Sequence, residues 1–316
     1  MDLSLFFAGT AGSVPSARRG LPALVLRAGG DRLLFDCGEG TQQQLLRSGG
    51  LPELDAVFLT HFHLDHWLGL VGMIKTFDLR GRERPLAVYG PRGLRALIDA
   101  MRPVIGRTGY EVRLVELEPH EEVRFGGYIV AAFPVEHRVT AYGYAFAEDD
   151  RPGRFDVAAA RALGVTDGPA FGRLQHGEEV DGVRPEQVVG PVRPGRRIVI
   201  SGDTRPCQPT EVYAHAADLL VHEATFLEDE LERARATAHS TARQAAEVAR
   251  DAGVRLLALT HLSTRYLPRD VRDEARATFP ATVVPRDFDA IEVPFPERGE
   301  PALVRAEPDP APAPAA

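Results

Sequence analysis

The sequence predicts an α/β fold, and two observations carry the prediction. Short apolar runs rich in Val, Ile, Leu and Phe alternate with helix-like segments along most of the 316 residues. Several of these runs end in histidine or aspartate, which puts polar chemistry at the ends of buried strands. The runs at 3–9, 23–29, 31–38, 56–61, 86–90, 128–137, 197–203, 218–225 and 255–261 read as strands, each short and stopped by glycine or a polar residue. Helices are expected at 40–49, 67–81, 91–106 and 240–253. The last has the clearest ends: Ser240 as N-cap, alanines through the body, Gly253 just past the end.

Composition narrows the classes. Hydrophobic residues make up 44% of the chain, enough for a sizeable core. A net charge of -8 argues against a general nucleic-acid coat but leaves room for a local basic patch. The two cysteines, Cys37 and Cys207, form no CxxC pattern, so neither a disulfide framework nor a thiolate metal site is expected, and a cytoplasmic setting fits. "MDLSLFFAGT" lacks a basic stretch and reads as a first strand, not a signal peptide. No apolar run reaches the roughly 18 residues of a membrane span.

Residues 151–197 break the pattern. They are dense in Gly, Pro and Arg, with eight Arg against six Asp plus Glu. They read as an arm, at about 151–195, inserted into a domain of residues 1–300. Residues 301–316, rich in Pro and Ala, are expected to form a disordered tail.

The chemistry concentrates in "LTHFHLDHWLGL", residues 59–70. In an extended segment alternate side chains share a face, so His61 and His63 can address one centre. Asp65 and His66 follow at the next turn and can address a second. Imidazole and carboxylate without thiolate suit Zn²⁺ at a catalytic site, or Mn²⁺ or Fe²⁺. Three further strands end in ligand-type residues: His137, Asp203 and His261. A bridging Asp203 would give His61, His63, His137 and Asp203 around one ion, and Asp65, His66, Asp203 and His261 around the other. Two such ions, about 3.5–4 Å apart, can clamp the entering and leaving oxygens of a phosphodiester. Asp65 would also accept a proton from the nucleophile.

These residues carry a resemblance. "THFHLDH" is the HxHxDH signature of the metallo-β-lactamase fold superfamily. More narrowly, the chain resembles ribonuclease Z, a family of tRNA 3′-processing endonucleases, over roughly residues 1–290. "FAGTAGSVPSARRG", "LLFDCGEGTQQQLLRSG", "HEATF" at 222–226, "AHSTARQAAEVA" at 238–249 and "LGVTDGPAFGRLQHGEEV" match its opening loop, second block, HEAT and HST motifs and Gly-Pro arm.

The resemblance implies a four-layer αββα sandwich with an inserted arm and two Zn²⁺ per chain. It implies precursor tRNA as substrate and a homodimer in which one subunit's arm serves the other's site. Cleavage would fall 3′ of the discriminator nucleotide, leaving a tRNA 3′-OH and a 5′-phosphate trailer. It agrees with a reading of His239 as the acid that protonates the leaving oxygen, with Glu223 holding its ring and a helix start beside it favouring phosphate. Ser240, Gly168 and Pro169 would contact substrate, the last two in the arm. Arg265 would hold a substrate phosphate as a bidentate donor, or form a plain surface salt bridge.

His222 reads as a buried strand histidine. His120, His176 and His215 match no motif. Two departures from the family stand out: Arg19-Gly20 where an Arg-Asn pair is usual, and glutamine, histidine and two glutamates in the arm where lysines are common. Leu64 replaces a residue that is often glycine and should point away from the metals. The alternative function keeps the fold and metals but takes a small phosphodiester, which needs no arm. A third reading is an RNA-binding protein with a relic metal site, against which all seven ligand-type residues and the acid stand.

Overall fold

A computed structural model describes residues 2–306. The chain opens with six strands of one sheet: β1 (Leu3–Gly9), β2 (Ala23–Ala28), β3 (Asp31–Phe35), β4 (Ala56–Phe58), β5 (Leu86–Gly90) and β6 (Val112–Glu116). Helices α1 (Thr41–Arg47), α2 (Leu64–Leu79) and α3 (Leu94–Ile105) connect the later ones. A second sheet follows: β7 (Glu122–Phe125), β8 (Tyr128–Pro134), β9 (Tyr142–Glu148), β10 (Arg197–Ile200), β11 (Leu219–Glu223), β12 (Leu256–Thr260) and β13 (Thr282–Val283). Between β9 and β10 lie α4 (Val157–Ala162) and α5 (Pro169–Gln175); then come α6 (Gln208–Ala214), α7 (Leu231–Thr237), α8 (Ala242–Ala252) and α9 (Pro268–Arg276). The chain returns to the first sheet through β14 (Ala290–Glu292) and β15 (Ala302–Val304).

The first sheet runs β15-β14-β1-β2-β3-β4-β5-β6 and the second β13-β12-β11-β10-β9-β8-β7. Strands β3 to β6 are parallel, as are β10 to β13. Parallel strands need crossovers, and helices supply them, so both faces of these strands are covered. Trp67, Leu70, Met73 and Phe77 of α2 pack with Val25, Leu34, Val57 and Val88 on one outer face. Ala245, Val248 and Ala249 of α8 do the same for Val199, Leu220 and Leu257 of the other sheet. Between the sheets, Phe58 meets the edge of Tyr144 at 5.2 Å, and the Tyr144 hydroxyl donates to the Leu59 carbonyl at 2.7 Å. The result is the four-layer αββα sandwich.

A second compact unit comprises Arg124–Ile129 and Ala147–Arg196. It has its own small core of Ala160, Val165, Leu174, Val180, Val183 and Val188. Where the chain enters and leaves it, Arg196 and Glu148 form a buried bidentate pair at 2.6 and 2.7 Å.

Several boundaries differ from expectation. Thr241, not Ser240, caps α8: its hydroxyl accepts from Gln244 N–H in a capping box. Gly253 does end the helix, at φ 66°. Helix α2 begins at Leu64, three residues early, because His63 keeps an extended backbone and turns the chain. Strands β6, β7, β9 and β13 to β15 were not anticipated; apart from β9 these are short, half-exposed strands that lack a continuous apolar signal, and β9, though largely buried, carries Gly143 within it. Ala302–Val304 pair with β14, so the expected tail does not begin at 301. The part of that expectation covering 307–316 lies outside the described residues.

Candidate metal centre

Each strand-end residue arrives by a sharp turn off a rigid strand. His61 follows β4 by three residues, with His63 as the N-cap of α2 and Asp65 and His66 in its first turn. Gly202, at φ 63°, turns the chain after β10 and presents Asp203. His261 follows β12 directly and sits at φ 56°, a left-handed conformation uncommon for a side-chain-bearing residue. The loop at Gly12 runs so close that an added Cβ would lie 2.5 Å from His261 Nδ1.

The structure brings all seven expected ligands together. His61, His63, His137 and Asp203 offer ligand atoms within 4.8 Å of one another, as do Asp65, His66 and His261. Asp203 Oδ2 is the hub: it lies 3.9, 3.4 and 3.3 Å from Nε2 of His61, His66 and His261. Asp65 Oδ2 stands 3.5 and 3.4 Å from Nε2 of His66 and His261. His63 Nδ1 faces Nε2 of His61 and His137 at 3.0 and 3.2 Å. Leu64 is 64% exposed, away from this cluster.

Hydrogen bonds fix which ring nitrogens face inward. Thr60 Oγ1 donates to Asp36 at 2.9 Å, so at 3.0 Å it accepts from His61 Nδ1–H. Asp36 Oδ2 accepts from His66 Nδ1 at 2.8 Å. Thr225 Oγ1 donates to Glu223 Oε2 at 2.6 Å and accepts from His261 Nδ1–H at 2.8 Å. The Ala238 carbonyl accepts from His137 Nδ1 at 3.0 Å. Four imidazoles are thereby held by Nδ1 with Nε2 turned toward the centre, the orientation in which Nε2 would be the atom offered to a divalent ion. The Ser13 N–H steadies Asp65 Oδ2 at 2.9 Å.

Charge and burial agree with a cation site. Burial opposes ionisation of Asp203, but His261 and His66 overcome it and hold its carboxyl well below the usual range. Burial pushes the His61 and His137 rings toward the neutral form. Asp203 Oδ1 and His66 Nε2 are buried with no hydrogen-bond partner. Two orphaned, ligand-type atoms in one pocket fit divalent metal ions.

Beside the hub stands a second feature. His239 Nδ1 lies 2.7 Å from Glu223 Oε1 and 3.9 Å from Asp203 Oδ2. Burial lowers the His239 pKa, but the Glu223 carboxylate more than reverses this and holds it at about 9. Thr204 N–H and Thr225 fix the Glu223 oxygens.

Other expectations need correction. Ser240 is fully buried and donates to the Thr204 carbonyl at 2.7 Å, so its side chain offers nothing to a substrate. His239 does not open a free helix N-terminus, because Thr241 and Glu274 occupy the first N–H groups of α8. Arg265 Nη1 donates to both Glu230 oxygens at 2.9 Å, the surface-salt-bridge alternative. Arg19 turns inward to Thr10 and the Pro285 carbonyl, and Gly20 N–H donates to Asp287. Gly168 and Pro169 lie at the exposed start of α5. In the same unit Arg161 pairs with Asp167 and Arg173 with Glu178, which engages two of its arginines. His222 is buried, as expected, with Nδ1 donating to the Glu223 carbonyl.

Reasoning from the sequence missed Asp36, Thr60 and Thr225. Asp36 carried a usable signal, since it ends an apolar strand as the ligands do. Thr60 and Thr225 neighbour expected site residues but have no distinguishing pattern, and the Ala238 carbonyl leaves no trace in a sequence.

Two sheets with a histidine–aspartate cluster at the ends of their strands define a metallo-β-lactamase-fold hydrolase. The family model for the beta-lactamase superfamily domain matches residues 31–262. The chain belongs to the ribonuclease Z family. It is 49% identical to ribonuclease Z of Myxococcus xanthus, covering 93% of this chain and 98% of that one. It is 48% identical to ribonuclease Z of Haloferax volcanii, covering 93% and 96%. Human tRNase Z, short form, superposes with a TM-score of 0.69 at 27% identity, covering 92% of this chain and 99% of that one. Among the described residues no helix is long and apolar enough to cross a membrane.

Proposed function

We propose that this protein is a metal-dependent endoribonuclease that cuts precursor tRNA 3′ of the discriminator nucleotide, leaving a tRNA 3′-OH and a 5′-phosphate trailer. The observation that carries the reading is the shared Asp203: two ligand sets meet at one carboxylate, with the His239–Glu223 pair 3.9 Å away. His61, His63, His137 and Asp203 would hold one ion, and Asp65, His66, Asp203 and His261 the other. The ligand set favours two zinc ions, with manganese or iron as substitutes, and these would supply Lewis-acid polarisation of the scissile phosphate.

The protein's own groups divide the remaining work. Asp65 accepts a proton from the attacking water. Glu223 occupies Nδ1 of His239, which leaves Nε2–H as the donor to the departing 3′-oxygen. Gly168 and Pro169 present an exposed turn of the arm for phosphate contacts that position without reading sequence. Arg265 reaches a phosphate by exchanging its Glu230 partner. We place the protein as a cytoplasmic homodimer; Cys37 and Cys207 are free and buried, in keeping with a reducing compartment.

The test is cleavage of a 3′-extended precursor tRNA with Zn²⁺ or Mn²⁺, beside Asp65→Ala and a variant lacking residues 155–190. Cleavage just after the discriminator, lost in both variants, is expected. Intact metal content and turnover of bis(p-nitrophenyl) phosphate without any tRNA cleavage would move the function to a small phosphodiester.

A further inference from the structure

A cleft of about 360 Å³ opens on the helix-covered side of the first sheet, far from the metal centre. Arg27 of β2, Arg32 of β3 and Arg80, the C-cap of α2, line it, with Phe6 and Val25 at its floor. Arg32 is the second residue of β3, and Asp36 follows the strand's other end. At about 3.3 Å per residue the two are roughly 13 Å apart along the strand. The cleft is therefore a separate place from the reacting phosphate.

Its charge is unbalanced. Arg27 and Arg32 stand directly opposite each other in the antiparallel β2–β3 pair, an arrangement that costs stability for like charges. Arg32 gives one N–H to the Gly30 carbonyl, and Arg27 lies over the Phe6 ring at 5.2 Å. Among the described residues no carboxylate pairs with the side chain of Arg27, Arg32 or Arg80. Burial first, then the charge of Arg32, pushes the Arg27 pKa down. Gly49 and Gly50 form another wall, at φ 125° and 114°, where an added Cβ would meet only open space.

We propose that this cleft binds a phosphate group, held by the guanidinium groups of Arg27, Arg32 and Arg80. Guanidinium forks match phosphate oxygens in pairs, and a bound anion cancels the opposition of Arg27 and Arg32. The phosphate can belong to an RNA backbone or be free in solution, and the recognising chemistry is the same.

The experiment compares the metal-loaded wild type with an Arg27→Gln/Arg80→Gln variant in two arms. The first titrates inorganic phosphate and follows Tm. Any phosphate effect at the metal centre is common to both proteins, so a rise several degrees larger in wild type supports the cleft. The second measures binding of 3′-extended precursor tRNA against salt. A roughly tenfold weaker affinity and a shallower salt slope in the variant assign the phosphate to RNA. Unchanged RNA binding with the Tm difference retained assigns it to a free anion. Equal phosphate response and equal RNA binding in the two proteins overturn the proposal. The variant's Tm in phosphate-free buffer should equal or exceed that of wild type. If it is lower, Arg80→Gln alone, at an exposed helix end, carries both arms.

Discussion

At the scale of single residues, the centre depends on groups that touch no substrate. Asp36 and Glu223 play parallel parts at the ends of β3 and β11. Each holds a threonine hydroxyl, Thr60 or Thr225, that accepts from a ligand histidine, and each directly holds another histidine, His66 or His239. Replacing Thr225 with valine keeps the shape but removes the acceptor for His261 Nδ1. Metal affinity at the Asp65–His66–His261 site should fall about 10–100-fold, read as metal per chain by elemental analysis, while Thr225→Ser restores it. Full metal occupancy in Thr225→Val would contradict this role. The Glu223–His239 pair gives a pH prediction. Glu223 raises the His239 pKa, so the protonated acid persists at higher pH and activity falls as pH rises through the folded value. Glu223→Gln removes that support, and the alkaline limb of kcat should move to lower pH; an unmoved limb would assign it to another group.

At the scale of elements, strands supply rigidity and the turns after them supply direction. His261 is held in a left-handed conformation by β12 behind it and the Gly12 loop beside it. Gly12→Ala would press a methyl to 2.5 Å from His261 Nδ1 and 2.7 Å from its carbonyl. The ring or the loop must shift, so this variant should fold with Tm lowered only by the share that one lost ion contributes, yet bind about one metal per chain and lose most activity. Elemental analysis beside a melting curve checks both halves. The arm is a different kind of element: its small core and the Arg196–Glu148 pair let it hold a shape of its own.

At the scale of the whole molecule, the two helix–sheet cores do not include the metal site. Chelation should therefore leave the chain folded while removing the linkage stabilisation of bound ions, about 2.7 kcal/mol per site at a hundredfold excess over Kd. A Tm drop of roughly 5–10 °C with unchanged far-UV circular dichroism is expected. Unfolding on chelation would show that the ions hold the sandwich together.

Much of this was legible in the sequence because strand-end ligands are local features. An apolar run stopped by His or Asp says both that a strand is buried and that its end carries chemistry; His61, His137, Asp203 and His261 were readable on that basis. The HEAT and HST motifs likewise marked Glu223 and His239. What the tertiary structure alone decided was who holds whom. Ser240 looked like a cap and a substrate contact, yet packing turned it inward to Thr204 and gave the cap to Thr241. Arg265 left two readings open, a phosphate clamp or a surface salt bridge, and in the structure Glu230, 35 residues away, holds it. Asp36 became a partner of His66 only when β3 and β4 paired. Spacing along a chain encodes periodicity and therefore strands, helices and their ends. It does not encode the hydrogen-bond partners that distant segments find when two sheets close on each other.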